Sequence, residues 1–119
     1  MGCRERKGTM VNYVPEDGDI VNIDLSPVKG HEQDGMRPAI VISNKVFNSF
    51  TKMAIVCPLS SNTKDFPTHY ILEKSKKITG AVLCEHIRSI DYEKRNVKFI
   101  EKSHKSDLEN IMALLASFI

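Results

Sequence analysis

A chain of 119 residues, 41% hydrophobic and 27% charged, is one ordinary globular domain, large enough to bury a core without disulfide or metal staples. Its net charge of +2 permits a nucleic-acid partner without demanding one, and no apolar run approaches the roughly 20 residues that span a bilayer. Residues 1–9 are polar and basic with no secretory h-region, the myristoylation pattern fails at Arg6, and Cys3, Cys57 and Cys84 form no CxxC pair, which together fit reduced thiols in a cytoplasm.

Residues 1–9 read as a disordered or tag-derived leader ahead of a single domain over residues 10–119. In residues 19–26, Val21, Ile23 and Leu25 alternate with Asn22, Asp24 and Ser26, the pattern of a half-buried strand. Ala39-Ile40-Val41-Ile42 is a continuous apolar run inside a second strand, 38–44, of the kind buried on both faces. The link between them, Ser26 to Pro38, exceeds the roughly two to five residues of a plain hairpin. It contains Gly30 and Gly35 and ends in Arg37, and a long loop on a rigid scaffold is where function usually sits. Residues 44–49 allow one helical turn. Residues 53–59 form a third strand, with Pro58 marking where it leaves its ladder. A second loop, 60–67, precedes strands over 68–73 and 80–84, which Lys74-Ser75-Lys76-Lys77 separates as a solvated turn; shorter strands follow over 87–90 and 97–101. Short strands with turn signals between them predict a small barrel. Ser106-Asp107-Leu108-Glu109 is a capping box, and Leu108, Ile111, Met112, Leu115 and Phe118 or Ile119 follow at helical spacing. An amphipathic helix should therefore close the chain and pack on the barrel. Cys57 and Cys84 lie in apolar runs and are expected as small core residues.

Several of these segments resemble the MazF/PemK family of bacterial toxins. Asp24-Leu25-Ser26-Pro27, then Gly30, Glu32-Gln33, Gly35 and Arg37-Pro38 look like that family's loop signature. Gly18-Asp19-Ile20-Val21 resembles its opening strand, and Cys57-Pro58-Leu59-Ser60-Ser61 sits where the family has a strand ending in a Thr or Ser turn. Glu85-His86-Ile87-Arg88-Ser89-Ile90-Asp91 looks like its late Q-x-R/K-S/T-I-D box. The resemblance runs from about Tyr13 to the C-terminus. It implies a mainly β fold with a C-terminal helix, a small SH3-like barrel of the CcdB/MazF toxin type. It further implies a homodimer, a metal-independent endoribonuclease acting on single-stranded mRNA, and a cognate MazE-like antitoxin with an acidic disordered tail.

Cutting RNA without a metal needs a base for the 2′-hydroxyl, a group to hold charge on the phosphate, and an acid for the leaving 5′-oxygen. Arginine suits the second task, because its planar fork matches phosphate oxygens and stays charged. Arg37, held extended by Pro38, is the family's catalytic arginine by resemblance; read alone, it is a surface arginine paired with Glu32 or Asp34. Ser60 occupies the family's Thr/Ser position and suits positioning a phosphate or a 2′-hydroxyl, although Ser-Ser-Asn-Thr is also plain turn chemistry. Ser61 is its possible substitute. Glu32 is a candidate base or an orienting partner for Arg37. Gln33 is a candidate reader of a base edge, and Lys29, Lys64 and Arg88 are candidate RNA contacts. Resemblance assigns Glu85 an acid that helps catalysis in some members. The next residue, commonly Gln, is here His86, which could stack on a base or exchange protons near neutral pH.

His31, His69, His86 and His104 are scattered and no Cys/His cluster occurs, so neither metal nor cofactor is expected. Phe66, Tyr70 and Phe99 could stack bases, although aromatics at strand positions are usually core. Two alternatives stay open at this point: a CcdB-like gyrase-poisoning toxin without catalysis, and an inactive RNA-binding barrel.

Overall fold

The computed structural model describes residues 13–24 and 36–119. The leader, and the loop segment 25–35 that carries Lys29, Glu32 and Gln33, lie outside the described residues. The elements run β1 (Asp19–Asp24), β2 (Met36–Val41), α1 (Lys45–Thr51), β3 (Met53–Ser60), β4 (His69–Ile71), β5 (Ala81–Leu83), a 3₁₀ turn (Cys84–His86), β6 (Arg88–Asp91), β7 (Lys98–Lys102) and α2 (Lys105–Ser117). The expected strands are all present, and the single helical turn expected after 44 is α1. Asn44 starts it by accepting the Phe47 N–H at 2.9 Å, and Lys52 ends it in the left-handed region at φ 63°, as caps require.

The strands form one antiparallel seven-stranded sheet in the order β4-β5-β3-β2-β1-β7, with β6 on the outer edge of β3. Among the described strands the ends, β4 and β7, do not pair with each other, so the small barrel is an open, bent sheet. β3 changes neighbours along its length. Its outer edge pairs with β6 through Val56 and with β5 from Leu59. Pro58, which has no N–H to donate, stands at the change of partner. The strand does not leave the sheet there, because its other edge still pairs Pro58 with Ala39.

Both faces of the central strands are covered, which explains the continuous apolar runs. Ile20, Ile40, Cys57 and Leu59 point one way, into a core completed by Val82, Cys84 and by Ile111 and Leu115 of α2. Val21, Ile23, Ala39, Val41, Ala54 and Val56 point the other way, packed by Ile90, Tyr92, Tyr13 and Val14. Cys57 and Cys84 are buried, as expected.

The C-terminal helix starts differently from the expected capping box. His104 is the N-cap, its Nδ1 accepting the Ser106 N–H at 3.1 Å, so Ser106 already lies inside the first turn. Asp107 is fully buried, where it accepts the Tyr70 hydroxyl at 2.6 Å and the Lys74 N–H at 3.1 Å. This latch ties α2 to β4. Ile111 and Leu115 are buried, but Met112 and Phe118 stay 43% exposed, so the helix seats only the narrow stripe that Asp107 begins. The lysine turn is pinned rather than free. The Glu101 carboxylate of β7 accepts the backbone N–H groups of Lys76, Lys77 and Ile78 at 3.2, 2.9 and 2.9 Å.

Candidate active site

Strand register collects the candidate residues. Arg37 pairs with Ile23 of β1. The β2–β3 ladder ends where Ala39 pairs with Pro58; strand alternation puts Arg37 and Ser60, each two residues beyond that pair, on the same face of the sheet, although Ser60 pairs with Ala81 and does not line the cleft described next. In β3–β6, Val56 pairs with Arg88, which puts Arg88 on this face as well. The face opens into a cleft of about 120 Å³, where Arg37, His86 and Arg88 stand over apolar walls formed by Ile23, Pro38, Ala39, Val56, Pro58 and Ile90. Arg37, His86 and Arg88 are all exposed. Two guanidinium groups over a dry floor suit an anionic ligand with flat or apolar parts, which is the chemistry of a nucleotide.

Ser60 ends β3, half-buried, and its Oγ accepts the Asn62 N–H at 3.1 Å. Turn and site readings therefore coexist, since that hydroxyl keeps its proton to donate. Gly80 holds the residue in place: at φ +147°, a Cβ on it would stand 2.6 Å from the Ser60 carbonyl oxygen. Only glycine allows this approach. Ser61 and Lys64 are exposed on the following loop and do not line the cleft. Phe66 and Phe99 are half-exposed and Tyr70 is engaged with Asp107.

Glu85 is not a free carboxylate. Oε1 accepts the Thr68 hydroxyl at 2.7 Å, Oε2 accepts His69 Nε2 at 2.9 Å, and His86 Nε2 stands 3.7 Å from Oε2. Desolvation opposes its ionisation, but the hydrogen bonds from Thr68 and His69 outweigh that and hold the carboxyl down to about 2. Thr68 and His69 are the partners that sequence reasoning missed. They lie 17 and 16 residues from Glu85, and only the β4–β5 register, with His69 opposite Leu83, brings them there. Phe66 stacks on His69 with ring centroids 5.0 Å apart. Among the described residues no group of three or more His, Cys, Asp or Glu could hold a metal ion, and no helix is long and apolar enough to cross a membrane.

Beyond the cleft, Arg88 and Ile90 also wall a wider groove of about 400 Å³ with Lys94, Arg95 and Asp91, so positive charge continues along one side of the molecule.

Fold and cleft define a small bent-sheet protein with a basic, phosphate-competent site. A family model described as "PemK-like, MazF-like toxin of type II toxin-antitoxin system" matches residues 16–119, and the chain belongs to that family. Endoribonuclease toxin MazF of Escherichia coli (strain K12) is 35% identical over 83 residues, 70% of this chain and 74% of that protein. Endoribonuclease MazF of Staphylococcus epidermidis is 34% identical over 102 residues, 80% of this chain and 85% of that one. The crystal structure of MazF from Deinococcus radiodurans superposes with a TM-score of 0.78 at 33% identity, covering 90% of this chain and 97% of that one. A MazE-MazF structure from the same organism gives 0.79 at 28% identity over 90% and 96% of the two chains.

Proposed function

We propose that this MazF-type toxin endoribonuclease cuts single-stranded RNA at specific sequences, without a metal ion and without the ribosome. The 2′-hydroxyl attacks the adjacent phosphate, leaving a 2′,3′-cyclic phosphate and a 5′-hydroxyl. Arg37 and Arg88 hold the phosphate, and Ser60 positions the attacking hydroxyl. Glu32 takes its proton by resemblance, while Glu85 supports the site. Lys29, Gln33, Ser61, Lys64 and His86 contact the strand. The observation that carries this reading is the cleft itself, where Arg37 of β2 and Arg88 of β6 share one apolar-walled opening with His86. Loss of mRNA in the cytoplasm would stop translation and growth. Family membership favours this over a gyrase poison.

The antitoxin would cover the same cleft, with an acidic segment on Arg37 and Arg88 and an apolar anchor against Pro38 and Pro58. The chain would act as a homodimer; Val46 and Phe50, one turn apart on α1, are 78% and 87% exposed and offer apolar surface to cover. Incubation of the purified protein with a long single-stranded RNA in excess chelator tests the activity. Discrete cut sites are expected; RNA that stays intact until a divalent metal is added would overturn it.

A further inference from the structure

We propose that His86 is the proton donor to the leaving 5′-oxygen, with Glu85 and His69 as positioning residues behind it. The inference rests on the ribonuclease reading above and assigns the step that reading leaves without a group.

The cleft decides which side chains can serve. Among the described residues, its ionisable side chains are Arg37, Arg88 and His86. A guanidinium does not give up its proton in a protein, so the two arginines can hold charge but cannot hand over a proton. Glu85 stands beside the cleft but is fully ionised near neutral pH, both oxygens already receiving hydrogen bonds, so it carries no proton to donate. Imidazole is the side chain that exchanges protons near pH 7, and His86 is 62% exposed at the cleft rim.

The surroundings orient the ring. Glu85 Oε2 lies between two imidazoles, at 2.9 Å from His69 Nε2 and 3.7 Å from His86 Nε2. His69 is itself fixed, stacked on Phe66, with its Nδ1 buried and unpartnered. The carboxylate is thus held from β4 and stands beside the His86 ring, where it orients the imidazole. Among the described residues, the charged and titratable groups facing His86 are Glu85 in its own turn, His69 behind that carboxylate, Arg37 from β2 and Arg88 from β6. In the step, the 2′-hydroxyl loses its proton to the base of the proposed reaction and the 2′-oxygen–phosphorus bond forms. The phosphorus–5′-oxygen bond breaks, and the 5′-oxygen takes the His86 proton. Exchange with water restores both groups.

The test uses two otherwise identical RNAs, one with a normal scissile linkage and one with sulfur in place of the bridging 5′-oxygen. A thiolate leaves without protonation, so only the first needs the acid. His86→Gln should slow the oxygen substrate by about 10²–10⁴-fold and the sulfur substrate by less than about tenfold, with unchanged thermal unfolding. Glu85→Gln should slow the oxygen substrate and spare the sulfur substrate, which a merely structural loss would not do. Equal losses on both substrates, or no loss on either, would overturn the assignment. Wild-type protein inert toward both RNAs would overturn the ribonuclease reading and this inference with it, an outcome distinct from the variant results.

Discussion

Replacing Arg37 by alanine should separate catalysis from folding. The side chain is exposed at the start of β2, so its removal opens no core cavity, and surface changes of this kind alter stability by about 0.5 kcal/mol or less. The backbone ladder is untouched, since Pro38 and Ala39 keep their partners Asn22 and Pro58. Loss of one preorganised donor to a developing oxyanion, by contrast, costs on the order of 10²–10³ in rate, or about 2.7–4 kcal/mol. The activity effect should therefore exceed the stability effect several-fold. Arg37→Lys should fall between, because it keeps the charge but loses the fork that engages two oxygens. Single-turnover cleavage of an end-labelled RNA gives the rate, and thermal unfolding by circular dichroism gives the stability. A folded Arg37→Ala protein that cuts within a few-fold of wild type would refute the role given to Arg37. A variant that loses activity only because it unfolds would refute the claim that the side chain is not structural.

Stability should fall in acid. Glu85 is held down to about 2, against an ordinary value of 4.5. A depressed carboxyl contributes stability above its ordinary value that is lost as pH drops from there towards 2. Glu101 adds to the same limb: desolvation opposes its ionisation, but the backbone donors Lys77, Ile78 and Lys76 lower it. Glu101→Gln should flatten the acid side of a stability–pH curve, and an unchanged curve would count against the pinned turn. Gly80→Ala should cost roughly 1–3 kcal/mol through backbone strain and reduce cleavage by displacing Ser60; a variant melting with wild type would contradict the 2.6 Å approach. Asp107→Asn should cost about 1–3 kcal/mol, since an amide cannot accept from both Tyr70 and Lys74 as the carboxylate does; urea unfolding measures it, and an unshifted midpoint would remove the latch.

Much of the fold was legible because periodicity reports burial. The run Ala39–Ile42 marks a central strand covered on both faces, whereas the alternation at Val21 and Ile23 predicts a half-buried strand and β1 is covered on both, with Ile20 in the opposite core; Pro58 marks the change of partner along β3. The helix start was misplaced because His104 caps as well as Ser would, through a ring nitrogen, and because a buried Asp107 looks in sequence like a first-turn acid. Half the cleft was legible. Arg37, His86 and Arg88 stood out by motif and do meet. The buttress of Thr68 and His69 did not, because an antiparallel pairing of three-residue strands creates it and no local pattern encodes that register. Two of the four histidines that looked scattered, His69 and His86, are brought together around Glu85.

The nature of the RNA ends tests the central claim most directly. A single-site RNA is prepared with either ribose or 2′-deoxyribose on the 5′ side of the scissile phosphate, and products are resolved by mass in excess chelator. The expected result is a 2′,3′-cyclic phosphate and a 5′-hydroxyl from the ribose form, with no cleavage at that position in the deoxyribose form. Cutting of the deoxyribose form, or a 5′-phosphate on the downstream product, would contradict attack by the neighbouring 2′-hydroxyl.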